Sequence, residues 1–592
     1  MTEDRPTTHR RTVASAPRHQ RWCVLGHAPD RGIAAVEVDP GGERSAPILM
    51  AAADLPDFVE QRESAAAPRW VWSDTPTWYP QLLRAGVRVG RAHDLRLSHA
   101  ILKHSVRVRE RAALFAADRW DAGSGAAEPA PVESALFVIE EPGAAARTVP
   151  HDLEAALAEF DRQRTAAASS DDPGRLGLLL AAESAGALVA VEMRSAGVPW
   201  DAAEHDRLLQ EALGPRPSHG AKPARMLELA DQVREALGDP GASLDSPPKL
   251  LRSLRRAGID VETTSRWELA EHEHPAVEPL LRYKKLSRLL TANGWAWIDE
   301  WVRDGRYRPV YVPGGVVTGR WASSGGGALQ LPRGLRPALR ADPGWRLVSA
   351  DVAQLEPRVL AAMAGDRAMA AAARGTDLYT GIVESGIVAS RQEAKIAVLG
   401  AMYGGTTGDS GRLVPRLRRG FPRAMGLVDQ AAAVGEQGGI VSTWLGRSSP
   451  EPGSEWRELQ SRASLPGATS RDEDRARRAA RDFGRFTRNF VVQGTAAEWA
   501  LAWLAEVRQR LAGFALSEDT ASARASGPVF ERRAHLVFFL HDEVIVHAPE
   551  EQAEAAAVVI REAAEAAGKL LFGNAPVDFP LDLRISERAV KD

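Results

Sequence analysis

At 592 residues the chain is long enough for several domains, each burying its own core. Hydrophobic residues at 44% and charged residues at 26% describe an ordinary globular protein, and a net charge of −3 excludes any argument for nucleic-acid binding from overall charge. A single cysteine, Cys23, excludes an intramolecular disulfide, and no Cys/His cluster points to zinc.

Residues 1–20 are polar and basic, without a signal-type apolar core, and read as a disordered tail. No segment of membrane length is expected, which makes the protein cytoplasmic in this reading. From residue 21 to about 160, short strands (RWCVLG, GIAAVEV, RWVWS, SALFVIEEP) alternate with helices such as 94–103, the pattern of an α/β domain. The polar stretch TAAASSDDPG, 165–174, reads as a hinge. Residues 176–213 then look helical apart from Gly197-Val198-Pro199, and SPPKLLRSLRRAGID and PAVEPLLRYKKLSRLLTANGWAWIDEWV continue the helical pattern. Lys284, Lys285 and Arg288 form a basic helix face able to meet phosphates. From Arg308 the chain becomes strand-rich, and the glycine run 325–327 reads as a flexible turn.

A strand-like run, 346–350, ends at Asp351. Pro357 sits near the start of the following helix, where its missing N–H costs little. Asp351 therefore lies at a strand-to-helix transition. In RQEAKIAVLGAMYGG, Arg391 and Lys395 are one helical turn apart and share a face suited to a triphosphate. Two Arg-rich stretches follow, GRLVPRLRRGFPR and RDEDRARRAARDFGRFTR; the second is interleaved with acids and reads as an exposed, salt-bridged helix. HLVFFLHDEVIVHAPEE, 535–551, reads as a hairpin with Asp542 at its tip, followed by an amphipathic helix. Carboxylates held this way suit Mg²⁺, which prefers oxygen and takes only one or two ligands from a protein.

DVAQLEPRVL resembles motif A of the family A DNA polymerases, RQEAKIAVLGAMYGG their motif B and FLHDEV their motif C, in the family's order. TGRWASSGGGALQLP and RNFVVQGTAAEWA resemble two further family blocks. The resemblance, to DNA polymerase I-like proteins, runs from about residue 180 to the end. It implies an α/β multidomain protein: a right-hand polymerase with helical thumb and fingers and an antiparallel-sheet palm, behind an N-terminal α/β ribonuclease H-like exonuclease-type domain. The implied divisions are a tail (1–20), an exonuclease-like domain (21–172), thumb and connecting helices (173–306), first palm segment (307–365), fingers (366–485) and second palm segment (486–592).

The same resemblance implies residue roles. Asp351 and Asp542 would bind two Mg²⁺ ions, with Mn²⁺ able to substitute and Glu543 as an additional ligand. Arg391 and Lys395 would bind the triphosphate, Lys395 also giving a proton to pyrophosphate. Glu356 would exclude a 2′-hydroxyl, while Gln354, Leu399 and Tyr403 would border the incoming dNTP. Arg320, Gln330, Arg485, Asn489, Gln493 and His541 would contact primer-template DNA; Arg358 would be structural. Val352 stands where the family has Tyr, and Leu399 where it has Phe or Tyr. The expected partners are primer-template DNA and dNTPs, with a monomer and no membrane. In the N-terminal part the family's Asp-x-Glu is replaced by Glu37-Val38-Asp39. Ser98 stands where Asp is expected, and Asp171 and Asp172 lack the Tyr four residues earlier. An inactive exonuclease scaffold is therefore expected, with no 5′-nuclease domain ahead of it. The alternatives are a proofreading bifunctional enzyme, a nuclease, and a non-catalytic DNA-binding protein.

Overall fold

The computed structural model describes residues 21–30, 32–123, 148–218, 220–327, 331–375, 377–405 and 408–589. The expected tail, the strand-like SALFVIEEP and Gln330 lie outside the described residues. The chain forms two compact units: the first reaches Ala185, and the second begins at Gly186 and takes in His104–Val106.

The first unit is α/β, as its alternating pattern predicts. Strands β1 (Trp22–His27), β2 (Ile33–Val38), β3 (Ile48–Met50), β4 (Arg69–Trp72) and β5 (Arg91–Asp94) form one sheet ordered β3-β2-β1-β4-β5. β1, β2 and β3 pair antiparallel, whereas β4 and β5 run parallel to β1. The parallel pairs need crossovers, supplied by helices Leu55–Ala65 and Thr75–Arg84. The second helix is capped by Asp74, whose carboxylate accepts from Thr77 N–H at 2.9 Å. Val24, Val36, Val71, Leu95, Trp120 and Phe160 make the core.

The expected hinge is shorter than its composition suggests, because helix Leu153–Ala168 runs into it and α1 (Pro173–Ala196) starts within it. Contrary to the sequence reading, α1 is long and apolar enough to cross a membrane, with mean hydropathy 1.6 over an 18-residue window. Of that window, 78% is buried inside the protein, so its apolarity follows from packing on all sides.

The second unit opens with helices Ala202–Leu213, Ala224–Leu237, Pro247–Arg256 and Val277–Asn293 around a common core. A ribbon of Val310–Val312 and Ala322–Gly325 follows. The glycine run turns as expected at 326–327 and Gly327 is open, but its first two glycines are packed: a Cβ at Gly325 would lie 2.4 Å from the Trp301 ring, and the Gly326 carbonyl accepts from Trp297 Nε1 and the Tyr307 hydroxyl, both at 2.8 Å.

Strands β6 (Trp345–Val352), β7 (His535–Leu540), β8 (Glu543–Pro549) and β9 (Leu581–Ser586) make an antiparallel sheet ordered β7-β8-β6-β9. Helix α2 (Leu355–Ala364) leaves the end of β6. Helix α3 (Arg391–Tyr403) is capped by Ser390, which accepts from Glu393 N–H at 3.2 Å, and ends at Gly404 with φ 74°. Helix α4 (Ser470–Ala512) opens with a capping box between Thr469 and Asp472. It continues through Gly484 and Gly494, where a Cβ would meet Glu436 and Thr443 at 2.6 and 2.4 Å. Two stretches that read as separate blocks are therefore one helix. Helix α5 (Ala553–Phe572) follows the hairpin as predicted and packs on β6, β8 and β9. Arg358 is buried and ties α2 down through the carbonyls of Ala353, Gly375 and Asp578 at 2.8–3.0 Å.

Candidate active site

The hairpin and β6 bring the two predicted aspartates to one end of the sheet. Asp351 pairs in register with Glu543 on one side and Asp582 on the other. Alternation along a strand points all three side chains to the same face. Val352 N–H donates to the Asp542 carbonyl at 2.9 Å, which ties the hairpin turn to β6. The turn is tight: Asp542 N–H donates to the Leu540 carbonyl at 2.7 Å across His541, whose φ is 58°. A left-handed histidine in a three-residue turn is strained and persists because the flanking strands over-determine it.

Glu543 is engaged differently from the aspartates. Both of its oxygens accept from Arg336, at 2.5 Å each, in a buried fork. The Asp351 charge also acts on Arg336. Among the described residues no group of three or more His, Cys, Asp or Glu side chains is assembled to hold a metal alone. A carboxylate at a strand end and one in the neighbouring hairpin turn fit Mg²⁺ that completes its shell with water and phosphate.

Beside the turn lies a cleft of about 300 Å³ lined by Arg320, Gln354, Glu356, Tyr403, His541 and Asp542, among others. Glu356 organises it: one oxygen accepts from Arg320 and the other from the Tyr403 hydroxyl at 2.5 Å. Burial and that carboxylate push the Tyr403 phenol up, while burial and the Arg320 charge push His541 down. Gln493 reaches the Tyr403 hydroxyl. Gln354, at φ 48°, accepts from Leu378 N–H at 3.1 Å and so also braces the chain behind the cleft. Val352 is buried.

Arg391, Lys395, Leu399 and Tyr403 fall on one stripe of α3. Arg391 is fixed by Asp377 at 2.6 Å and lies over the Tyr379 ring at 5.5 Å. Lys395 is exposed and has no hydrogen-bond or ion-pair partner among the described residues; Leu399 is half-buried. Arg485 stands beside the end of α3, its Cγ 3.1 Å from a Cβ built on Gly404, and pairs with Asp482 at 3.0 Å. Asn489 has a buried Oδ1 without a partner among the described residues, facing the same side of α4 as Arg485 and Gln493. Of the basic face on helix Val277–Asn293, Lys285 and Arg288 are exposed, but Lys284 is spent on Thr264.

The exonuclease-motif residues of the first unit hold local structure. Glu37 pairs with Arg62 at 3.1 Å, and Asp39 accepts from Glu43 N–H at 2.8 Å. Ser98 is fully buried in helix Leu95–His104. Asp171 pairs with Arg109, and Asp172 accepts from Arg175 N–H at 3.0 Å. Sequence reasoning missed Arg336, Asp377 and Tyr379. Asp377 had a usable signal, an Asp opening a short apolar run, and it caps helix Leu378–Glu384; Arg336 had none.

The family model for DNA polymerase family A matches residues 231–587. DNA polymerase I of Chloroflexus aurantiacus is 29% identical over 388 residues, 60% of this chain and 36% of that protein. The thermostable DNA polymerase I of Thermus filiformis is 26% identical over 343 residues, 53% and 36% of the two chains. The chain thus spans about a third of the length of these curated relatives. The POL domain of Pol1 from M. smegmatis, solved in complex with DNA primer-template and dNTP, shares the fold with a TM-score of 0.65 at 18% identity, covering 97% of this chain and 96% of that one.

Proposed function

The chain belongs to DNA polymerase family A, and from that membership and the geometry of the cleft we propose that it is a template-directed DNA polymerase adding deoxynucleotides to a primer 3′-end. The observation that supports the reading is the placement of Asp351, at the end of β6, and Asp542, in the hairpin turn tied to β6 by the Val352 N–H, at one end of the sheet, with Asp542 lining a cleft organised by Glu356. In this reading, sheet β6–β9 is the palm, residues 366–485 are the fingers and 173–306 the thumb. Residues 21–172 are an exonuclease-type scaffold without activity. The partners are primer-template DNA and dNTPs, as in the mycobacterial complex, and the enzyme works as a monomer in the cytoplasm, at the nucleoid.

Asp351 and Asp542 would hold two Mg²⁺ ions. When bound, these lower the pKa of the primer hydroxyl and offset charge on the triphosphate. Glu543 serves that pair indirectly, through Arg336. Arg391 and Lys395 bind the triphosphate from one face of α3, and Lys395 carries the proton that the pyrophosphate takes up. Glu356 fills the volume a 2′-hydroxyl would need, with Tyr403 and Arg320 fixing its carboxylate. Arg320 also faces the minor-groove edge, where acceptors at both kinds of base pair let one donor test pair geometry without choosing a base. Gln330, Arg485, Asn489, Gln493 and His541 complete the DNA track.

Primer extension with Mg²⁺ and dNTPs tests the reading. Asp351→Ala and Asp542→Ala should each abolish extension while leaving duplex binding largely intact, because each removes a metal ligand and no DNA grip. Near-normal extension by either variant sinks the two-metal assignment.

A further inference from the structure

The N-terminal half of α4 reads from sequence as a salt-bridged helix, and in the structure some of its arginines are paired while others, Arg481 among them, are exposed without a partner among the described residues. Arg477 is paired with both Glu473 and Asp474, at 3.3 and 2.7 Å. Arg471, Arg475 and Arg478 are exposed and have no hydrogen-bond or ion-pair partner among the described residues. Arg471, Arg475, Arg478 and Arg485 are spaced by four, three and seven residues, so they line one stripe of the helix. Asn489 and Gln493 continue that stripe at the next two i+4 positions. Only Asp482 interrupts it, and that carboxylate is spent on Arg485.

Arg485 marks the position along this track, since it stands against Gly404 and therefore beside Tyr403 and the cleft. In the polymerase reading, duplex product lies on the palm side of the nascent base pair and unread template on the other. The stripe from Arg478 back to Arg471 runs away from the palm segment of α4, over about 20 Å of helix beyond Arg485. Resting on the polymerase reading above, we infer that Arg471, Arg475 and Arg478 bind the phosphates of the single-stranded template ahead of the active site. Unpaired guanidinium groups in a row match a polyanion and carry no base preference.

The test is equilibrium binding of the full chain to two primer-templates, one with a single-nucleotide 5′ template overhang and one with a ten-nucleotide overhang. Arg475→Ala/Arg478→Ala should weaken binding to the long overhang roughly tenfold at moderate salt and lower the slope of log K against log salt by about 1.4, the value for two single-strand phosphates. The short overhang should stay within twofold. Arg477→Ala, at a paired arginine, should leave both unchanged. Equal losses on the two substrates would assign the stripe to duplex DNA, and no loss on either would remove it from the DNA track; both outcomes overturn the inference. Extension by the wild type, measured alongside, separates these results from failure of the polymerase reading.

Discussion

Removing the charge from Glu543 should unsettle the fold more than it changes the Mg²⁺ dependence of primer extension. The Arg336–Glu543 fork has two contacts at 2.5 Å, with side chains only 10% and 4% exposed. Deleting one partner of such a pair leaves a buried, uncompensated charge and costs about 3–5 kcal/mol. In Glu543→Gln the guanidinium keeps the field of Asp351, so the loss should fall near the lower end, about 3 kcal/mol. In Arg336→Met the two carboxylates at one register position, Asp351 and Glu543, lose the cation between them. That loss should approach the upper end, about 5 kcal/mol. Arg336→Met/Glu543→Leu should lie closer to wild type than either single variant, because no buried charge of the pair is left behind. The assay is urea unfolding by circular dichroism, reading midpoint and slope for each member of the cycle. Single-variant effects within about 0.5 kcal/mol, adding without coupling, would refute the pairing. In primer extension, Glu543→Gln should leave the Mg²⁺ midpoint within about twofold, since its oxygens already serve Arg336.

Four further outcomes are expected. Glu356→Ala should raise ribonucleotide incorporation by opening the volume beside the sugar; Leu399→Tyr should improve dideoxynucleotide use roughly 10- to 100-fold, the scale of one gained polar contact, and equal dNTP/ddNTP ratios before and after would show that Leu399 does not face the sugar. The protein should not trim a mismatched primer in Mg²⁺ without dNTPs; rapid trimming, lost on mutating Glu37, Asp39 or Asp171, would overturn the inactive-scaffold reading. Stability should fall on acidification between about pH 6.5 and 4. Burial holds His205 near a pKa of about 4 against an ordinary 6.5, so only the unfolded ring takes up a proton in that window. His205→Gln should flatten this part of a melting-temperature profile, and an unchanged profile would exclude His205 as the source.

The hairpin was legible because its β-branched and aromatic runs flank a single polar break, and α3 because its i, i+4 cations fix its face; its Ser390 cap emerges only in the structure. Strands β3 and β5 were not: three residues carry no alternation, and Arg-Ala-His-Asp has almost no apolar signal, so both exist through the sheet that recruits them. The packed glycines at 325 and 326 are explained only by Trp297, Trp301 and Tyr307, which sequence cannot place against them. Asp351 and Asp542 announce themselves by position at element ends. Arg336 acts through a partner far along the chain, and Tyr379 through Arg391 on the next helix; nothing local distinguishes either from any buried arginine or tyrosine.

The length of α4 bears on how the cleft can move. Its 43 residues run unbroken past Arg485 and Gln493 to the cleft wall at Ala496, Ala497 and Ala500. A continuous helix of this kind holds these points at fixed spacing along one rod. Any swing of α3 towards the Asp542 turn must be taken up at its own ends, with Gly404, already left-handed, as the natural pivot at one of them. Arg391 and Lys395 lie at the far end of α3 from that pivot and would sweep the largest arc, while Tyr403, next to it, would hardly shift. The cations would close on a substrate whose base and sugar side is already fixed.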